Sequence, residues 1–414
     1  MKHVDNKRDR DKLIIEAVVR RFGPVSRVRI HELTEFRKTT ISDLARELLE
    51  EGRLVEAGPS DNPMGRKQVL LQLNSDYGSV VAMEFDEHTV VAGVLDLQLG
   101  IREIIKEPTN LAGGVECLLT QLQACARRVI REAGIRTESV LGMGIADPGL
   151  VDSRRGVTTT SSTIEFWRDV PLKQTFEREF NIPATVESKT RAKTVAERML
   201  GAGDKCRNMI YVDYGVGIGA GIIVDGHLLY GQDCAAGEFG HTHVVEGGPA
   251  CKCGSIGCLE AVVGANAIVT WVSKALGEGA NSSLAGLDAG NITAWMVLEA
   301  ASAGDKICGN IVAELGNCLA LGISNLVNLF NPAIVVLDQR LESAGNGLLD
   351  QIMQGIKRQA LSNSVERLSL RFAKLAGEPG LLGIGILVLD KHFEIPALRP
   401  PRFMIEPVPF IPGS

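Results

Sequence analysis

The chain of 414 residues is 45% hydrophobic and 23% charged, and its formal net charge at pH 7 is −6. A chain of this length exceeds one typical hydrophobic core, so we expect two or three domains. We find no apolar run of about 18 residues, and the first 30 residues carry charges throughout, which predicts neither a membrane span nor a secretory signal. Because the nine cysteines show no paired framework, we expect reduced thiols and a cytoplasmic protein with no membrane partner.

Residues 1–75 carry an excess of positive charge, with 15 Lys and Arg against 12 Asp and Glu. The spacing of apolar residues predicts a helix over Asp11–Phe22, a second helix capped by Ser26, and a third that begins at Lys38 and ends at Gly52. The segments "RLVEAG" and "KQVLLQLN" then predict a hairpin around "PSDNPMGR". Three short helices and a hairpin are typical of a winged helix-turn-helix domain, for which we expect a double-stranded DNA partner.

The third helix is the one that such a domain places in the major groove, and the hairpin tip forms its wing. Short polar and basic side chains at the start of that helix suit contacts to bases and phosphates. The candidate DNA-binding residues are Arg37, Lys38, Thr39, Thr40, Ser42 and Arg46 near the third helix, and Arg66 and Lys67 at the wing. Winged helices also bind proteins, and acidic residues dilute this face: Asp43, Glu47, Glu50 and Glu51. Because operators of such heads usually have two-fold symmetry, we expect a homodimer or homotetramer.

The chain from Tyr77 onward consists of two halves that each open with neighbouring strands. The first half opens with "GSVVAMEF" and "TVVAGVLDLQLGIREIIKE", and the second opens with "NMIYVDYGVGIGAGIIVDGHLLYG". Helices and further strands follow in each half. This repetition predicts an α/β fold of two lobes with a cleft between them.

Three cysteines form a C-x-C-x4-C pattern close to two histidines, His241 and His243: Cys251, Cys253 and Cys258. Thiolates and an imidazole in a tetrahedral set suit Zn²⁺, and four protein ligands make a closed, structural site. The pattern therefore predicts a structural zinc, with either histidine available as the fourth ligand.

Five motifs point to a known family: "GEFGHTHV", "CKCGSIGCLE", "YGVGIGAGIIVDG", "GIADPGLVD" and "NPAIVVL". Through them, residues 77–390 resemble the ROK family (repressors, open reading frames and sugar kinases), a branch of the actin-like ATPase fold. The resemblance implies a two-lobed α/β ROK fold preceded by the winged helix-turn-helix. The implied domains are a head over 1–75, lobe 1 over 76–198, lobe 2 with the zinc loop over 199–379, and a Pro-rich tail over 394–414. A final helix at about 380–393 would return to lobe 1.

The resemblance also implies roles for individual residues. It makes His241 the fourth zinc ligand, and it places Glu238, His241 and Glu260 against sugar hydroxyls. Carboxylates accept hydrogen bonds from neighbouring hydroxyls, so two of them fix the orientation of a sugar ring. Ser188 and Lys189 belong to the same candidate pocket, because they stand where the family's kinases have an Asn-Asp pair.

Three kinase features are missing from the chain. The aspartate that accepts the proton of the sugar hydroxyl is replaced by Lys189, which donates rather than accepts hydrogen bonds. The first phosphate loop is "EFDEHT", Glu84–Thr89, without its glycines, and the glycine pair after "NPAIVVL" is replaced by Asp338 and Gln339. The second phosphate turn keeps its glycines, Gly215, Gly217, Gly219 and Gly221, which a tight hairpin and close packing also require. We therefore expect no kinase activity and no bound ATP.

Lys189 has two alternative roles. Its ammonium group could pair with an anionic ligand such as a sugar phosphate. It could equally form a salt bridge with Glu187, Asp147 or a glutamate of the pocket.

These observations predict a sequence-specific transcriptional regulator, a repressor, that is controlled by a sugar or sugar derivative in the interlobe cleft. One alternative is a sugar kinase with an appended DNA-binding head. Another is a constitutive DNA-binding regulator whose sugar pocket is vestigial and which is controlled by a protein partner.

Overall fold

A computed structural model describes residues 7–60, 67–345 and 347–394. In these ranges a small N-terminal head precedes two larger α/β lobes. The helices are α1 (Lys7–Phe22), α2 (Arg27–Thr34), α3 (Lys38–Glu50), α4 (Gly114–Glu132), α5 (Leu172–Phe180), α6 (Lys189–Leu200), α7 (Leu259–Val263), α8 (Ala265–Gly277), α9 (Ala294–Ser302), α10 (Lys306–Phe330), α11 (Gly347–Gln359), α12 (Ser362–Val365) and α13 (Pro379–His392). The strands are β1 (Val25–Ser26), β2 (Leu54–Pro59), β3 (Val69–Leu73), β4 (Ser79–Phe85), β5 (Thr89–Asp96), β6 (Ile101–Pro108), β7 (Val140–Asp147), β8 (Leu150–Asp152), β9 (Val157–Thr160), β10 (Ala184–Ser188), β11 (Met209–Tyr214), β12 (Ile218–Val224), β13 (His227–Leu228), β14 (Ile334–Leu337) and β15 (Ser369–Phe372).

The head packs three helices against a small sheet in the order β1-β3-β2. Ser26 caps α2, since its Oγ accepts the N–H of Arg29 at 3.2 Å. The apolar face of α3 faces the core of the head with buried Ile41, Leu44, Ala45 and Leu48. The three predicted helices and the hairpin are present, and the sequence analysis missed only the two-residue strand β1 within this part of the described chain.

Each lobe contains a five-stranded sheet, and the two sheets follow the same plan. The order is β10-β7-β4-β5-β6 in lobe 1 and β13-β12-β11-β14-β15 in lobe 2. In both, an antiparallel pair opens the lobe and two parallel strands extend the sheet from the first strand of that pair. Every residue of β4 and β14 is buried, as expected for strands with both faces covered. The predicted two-lobed α/β fold is confirmed.

One predicted strand is in fact two. The segment "TVVAGVLDLQLGIREIIKE" forms β5 and β6, joined by a turn in which the Asp96 carboxylate accepts the N–H groups of Gln98 and Gly100. Leu99 has a φ of 69° in this turn. The sequence analysis missed the break because the segment is continuously rich in strand-forming residues and Gly100 is its only strong turn signal.

Helices α6 and α13 pack closely against each other over lobe 1. A Cβ atom on Gly383 of α13 would lie 1.8 Å from the Ala192 carbonyl oxygen of α6, so this approach requires glycine. Helix α13 also contacts β4 and β7, and it therefore lies on lobe 1. Helix α6 in addition contacts β11 and β12 of lobe 2, so it lies between the two sheets.

The head is attached to lobe 1 by apolar packing and by one basic residue. A single apolar cluster includes Ile15 and Leu48 of the head together with Leu389 of α13. The Arg20 guanidinium in α1 donates to the Asp390 carboxylate at 2.5 Å and to the Ile386 carbonyl at 3.1 Å, both in α13. The end of α13 is therefore part of the interface with the head.

Two helical stretches, 259–277 and 306–330, are long and apolar enough to cross a membrane by composition. Scattered polar residues interrupt both stretches, so neither forms the unbroken apolar run that predicts a membrane span. In the second stretch 61% of the most apolar window is buried inside lobe 2, where Leu315, Leu319 and Ile323 are fully covered. The core helix of a globular domain has the same length and hydropathy, so these two features alone do not distinguish the two cases.

Candidate functional site

The four predicted metal ligands converge. One donor atom from each of His241, Cys251, Cys253 and Cys258 lies within 4.8 Å of all the others. The His241 Nδ1 is 3.6 Å from the Cys251 Sγ, and the Sγ atoms of Cys253 and Cys258 are 3.7 Å apart. In a tetrahedral site with Zn–S bonds of about 2.3 Å, neighbouring sulfurs are about 3.8 Å apart. The donor set and its spacing therefore fit Zn²⁺.

The loop that carries the cysteines turns twice through left-handed backbone, at Gly254 with a φ of 93° and at Gly257 with a φ of 68°. His243 does not join the cluster, because its Nδ1 is 2.9 Å from the Ile256 carbonyl oxygen. Burial raises the pKa of the Cys251 thiol to about 11, whereas a backbone hydrogen bond at Ser255 lowers the pKa of Cys253. A metal ion must therefore displace protons to bind here.

The predicted sugar-facing carboxylates are placed by this loop. Glu238 Oε2 lies 3.8 Å from His241 Nε2, so the imidazole has one nitrogen toward the sulfurs and the other toward a carboxylate. Glu260 follows Cys258 at the start of α7, and its Oε2 accepts the Ile218 N–H at 3.1 Å. Partial burial raises the pKa of Glu238, although the nearby His241 opposes this shift. A metal ion at these four donors would fix the backbone on which both carboxylates stand.

Ser188 and Lys189 lie at the start of α6, and each already has a partner. The Ser188 Oγ caps the helix by accepting the Arg191 N–H at 3.3 Å. The Lys189 Nζ lies 2.8 Å from the Asp86 carboxylate and 3.3 Å from that of Glu84. Burial alone would lower the pKa of Lys189, but these two carboxylates outweigh it and raise the pKa, so the lysine stays charged.

The salt bridge expected for Lys189 is present, but its partners are Asp86 and Glu84, and neither Glu187 nor Asp147 takes part. The Glu187 carboxylate is bonded to Arg191 at 2.6 Å. The buried Asp147 carboxylate accepts hydrogen bonds from Thr158 Oγ1 at 2.6 Å and Trp167 Nε1 at 2.7 Å. Lys189 instead holds the segment "EFDEHT", which stands in place of the first phosphate loop.

A second charged network joins α6 to lobe 2 at the position of the missing glycine pair. Asp338 is buried and accepts from Arg340 Nε at 2.8 Å and from Lys193 Nζ at 3.4 Å. Lys193 also lies 2.8 Å from Asp213, and Arg340 stacks over Trp295 at 4.9 Å from the ring centre. Burial would raise the pKa of Asp338, but Lys193 and Arg340 outweigh it and lower it. The sequence analysis identified the lost glycines and missed the ion pairs that replace them.

The glycines of the second phosphate turn have a packing role. A Cβ on Gly221 would lie 1.7 Å from the Thr194 Oγ1 of α6, and one on Gly219 would lie 3.1 Å from the Thr190 Oγ1. These glycines allow β12 to approach α6 closely, so their presence is explained without a bound nucleotide.

The predicted DNA-binding residues of the head cluster at one end of α3. Arg37 is the N-cap residue, and no side chain caps this helix end, which leaves backbone N–H groups free for an anion. Around it, Arg37, Lys38, Thr39, Ser42 and Arg46 are exposed and Thr40 is half-buried. Arg46 pairs with Asp43 at 3.2 Å, and the Ser42 Oγ donates to the Lys38 carbonyl at 2.9 Å. Lys67 is exposed beside the wing, and Arg66 lies outside the described residues.

Two of the acidic residues that dilute the charge of α3 point away from its exposed face. Glu47 pairs with Arg8 and with Lys12 of α1, the latter at 2.9 Å. Glu51 pairs with Lys12 as well, and with Arg53 at 3.3 Å. These ion pairs neutralise both carboxylates. The basic side chains at the N-terminal end of α3 are therefore not offset by Glu47 and Glu51.

Comparison with known proteins identifies the family of this chain. The model of the ROK family matches residues 92–391. The chain belongs to the ROK family. A xylose repressor of Caldicellulosiruptor bescii is 28% identical over 93% of this chain and 97% of its own length, and a glucokinase of Halalkalibacterium halodurans is 33% identical over 69% of this chain and 87% of its own. The crystal structure of a ROK family transcriptional regulator, described as a homologue of the Escherichia coli Mlc protein, has a TM-score of 0.80 at 24% identity and covers 93% of this chain and 98% of its own.

Within the ROK family, the extent of these matches separates two kinds of relative. The alignment with the xylose repressor spans 392 residues and so includes most of the head, whereas that with the glucokinase spans 289. The ROK body of this chain thus resembles both kinds, and the head extends the similarity to the repressor.

Proposed function

We propose that this ROK protein is a DNA-binding transcriptional repressor whose operator affinity is controlled by a sugar in the interlobe cleft. The observation that supports it most is the state of the kinase positions. Lys189 pairs with Asp86 where a kinase needs a proton acceptor and an open phosphate loop, and Asp338 pairs with Arg340 where a kinase keeps two glycines. Phosphoryl transfer requires positioned phosphates and a base together, so both losses fall on the same reaction.

The sugar side of the cleft keeps the groups that the family uses for recognition. Glu238 and Glu260 remain as acceptors for hydroxyl groups, on a loop that a Zn²⁺ ion at His241 and the three cysteines would stiffen. When bound, the ion supplies rigidity, because all four of its positions are filled by protein ligands. The Glu238, His241 and Glu260 side chains orient the ring, and Ser188 ends the pocket at the cap of α6.

In this proposal the head binds the operator DNA. The exposed basic start of α3 would contact the major groove, while Lys67 and Arg66 would meet the backbone or minor groove at the wing. A symmetric operator requires two heads, so we propose a homodimer or homotetramer in the cytoplasm.

Two assays test this proposal on the full-length protein. Selection from a random duplex library should enrich one DNA sequence, and the enriched duplex should bind far more tightly than a scrambled one. A coupled assay with ATP, Mg²⁺ and either glucose or xylose should release ADP no faster than a protein-free control. Sustained ADP release that depends on the sugar would instead establish the kinase alternative.

A further inference from the structure

We propose that the effector of this cleft is an uncharged sugar, and that the ion pair between Lys189 and Asp86 excludes phosphate esters of that sugar. This inference rests on the proposed function and names the class of ligand that the same site accepts. It also decides between the two roles that the sequence left open for Lys189.

The positive charge of Lys189 is already balanced by two carboxylates. Its Nζ contacts two carboxylates at 2.8 and 3.3 Å, and only 16% of its side chain is exposed. A phosphate would have to take the ammonium group from Asp86 and would then face both carboxylates at short range. Like charges in such contact cost several times what they cost in bulk water, because the surroundings screen them less.

Two further cations of α6, in the turn that follows Lys189, are paired with carboxylates as well. Arg191 pairs with Glu187 at 2.6 Å, and its Nη1 donates to the Cys234 carbonyl at 2.8 Å. Lys193 pairs with Asp213 at 2.8 Å and with Asp338 at 3.4 Å. Both cations are already paired with carboxylates and are therefore not available to an anionic ligand.

Arg154, in the turn between β8 and β9, is an exposed cation that bonds to lobe 2 through backbone carbonyls. Its guanidinium donates to the backbone carbonyls of Gln232 at 3.1 Å and Gly231 at 3.4 Å. These bonds tie the β8–β9 hairpin to lobe 2 and leave the guanidinium engaged at the surface.

Within the described ranges, neither carboxylate on the sugar side forms an ion pair with a lysine or an arginine. Glu238 Oε2 lies 3.8 Å from the His241 imidazole, and Glu260 accepts the backbone N–H of Ile218. A Cβ on Gly217 would lie 3.4 Å from the Glu260 carboxylate, and one on Gly219, two residues on, would lie 3.1 Å from Thr190, the neighbour of Lys189. Glu260 and the start of α6 therefore border the same short stretch of chain. The local charge is negative, which suits hydroxyl donors and opposes an anion.

The test compares neutral sugars with their phosphate esters on the full-length protein by isothermal titration calorimetry. The probes are three pairs: glucose with glucose 6-phosphate, N-acetylglucosamine with N-acetylglucosamine 6-phosphate, and xylose with xylose 5-phosphate. We expect at least one neutral sugar to bind, and its phosphate ester to bind at least about tenfold more weakly. A phosphate ester that binds as tightly as its parent sugar, or more tightly, overturns this inference and leaves sugar control of the protein intact. Absence of binding by every probe contradicts both the inference and the sugar-regulated function.

Asp86→Asn provides a gain-of-function arm. Asparagine keeps an Oδ1 acceptor for the His88 and Thr89 N–H groups, both at 2.9 Å, and leaves Lys189 with Glu84, at 3.3 Å, in place of two carboxylate partners. We expect the ratio of phosphate-ester affinity to parent-sugar affinity to rise about tenfold in this variant, and the rise to disappear in Asp86→Asn/Lys189→Gln. Asp225→Asn, which removes an acidic charge paired with Arg207 elsewhere on lobe 2, should leave the ratio unchanged. A ratio that does not respond to Asp86→Asn, or a phosphate affinity that is lost in Arg154→Gln and kept in Lys189→Gln, contradicts the role of Lys189.

Discussion

Lys189 shows how two substitutions at distant positions can reverse the chemistry of a site. The ROK kinase pattern has an aspartate at this position and a glycine near position 86, and this chain has a lysine and an aspartate that bond to each other at 2.8 Å. A partly buried lysine or aspartate without a partner would destabilise the fold. Together they form an ion pair at the positions that the resemblance assigns to the kinase base and the first phosphate loop.

The two carboxylates on the sugar side of the site, Glu238 and Glu260, should contribute to the affinity for the sugar. Glu238→Gln and Glu260→Gln each replace a charge-assisted hydrogen bond to a hydroxyl with a neutral one, so we expect about a tenfold loss of affinity for the sugar that binds the native protein. Calorimetric titration measures this loss. Glu246→Gln, at an exposed position of the same loop, serves as the matched control and should bind like the native protein. Equal affinities in all three variants would remove these carboxylates from the site.

The cysteine cluster should hold a metal ion that stabilises lobe 2. Cys253→Ser removes one of the four donors, so we expect less than one zinc per chain by elemental analysis and a melting temperature lower by roughly 5 °C. Cys206→Ser, outside the cluster, should keep both the metal and the melting temperature. A native protein that is free of bound metal after purification without chelators would contradict this assignment.

At the scale of elements, the interface between α1 and α3 determines which face of α3 is available. Glu47 and Glu51 are bonded toward α1, while the start of the helix remains exposed and basic. An electrostatic pairing inside the head thus helps to define the surface that would meet DNA.

We expect substitutions at the start of α3 to weaken DNA binding more than substitutions elsewhere in the head. Arg37→Ala and Lys38→Ala each remove an exposed cation, so affinity for the selected duplex should fall about tenfold and the salt dependence should become shallower by about one ion. Fluorescence anisotropy at several salt concentrations measures both quantities. Arg29→Ala, whose cation pairs with Glu32 at 2.7 Å, is the matched control. Loss of binding in the control alone would place the DNA surface elsewhere.

The pairing of Glu47 also predicts how the head responds to acid. Hydrogen bonds from Arg8 and Lys12 lower the pKa of Glu47 from its usual 4.5 to about 2. The stabilisation is therefore complete above pH 4.5 and is lost as the pH falls toward 2. Hydrogen–deuterium exchange of α1 and α3 should accelerate over this interval, and Glu47→Gln should already exchange faster at neutral pH. Identical exchange in native protein and variant at neutral pH would show that the pairing contributes nothing.

The sequence predicted those parts of the fold and site that depend on local pattern. The helix cap at Ser26, the Gly-rich turn of β12 and the cysteine spacing each lie within a few residues, so their chemistry is visible in one segment. The partners of Lys189 could not be chosen this way. Glu84 and Asp86 lie about a hundred residues earlier in the chain, and only the parallel arrangement of β4, β7 and β10 brings them to the start of α6.

At the scale of the whole molecule, α13 connects the cleft region to the head. Near its start a Cβ on Gly380 would lie 2.2 Å from the Glu84 carboxylate, the second partner of Lys189. Near its end Asp390 bonds to Arg20 of the head. A helix of 14 residues is rigid over its length, so a change in the packing of α6 against α13 would reach the head through these contacts. Such coupling requires that the sugar bind more tightly to one arrangement of the lobes than to the other.

The most direct test of the central claim is the affinity of the full-length protein for its selected duplex, measured by anisotropy with and without the sugar that binds it. The claim is that this cleft recognises a sugar in order to control DNA binding, without phosphorylating it. We predict that saturating sugar changes the dissociation constant for DNA by about tenfold or more, equally with and without ATP and Mg²⁺. A dissociation constant that no bound sugar alters, or that changes only when ATP is present, would contradict the account.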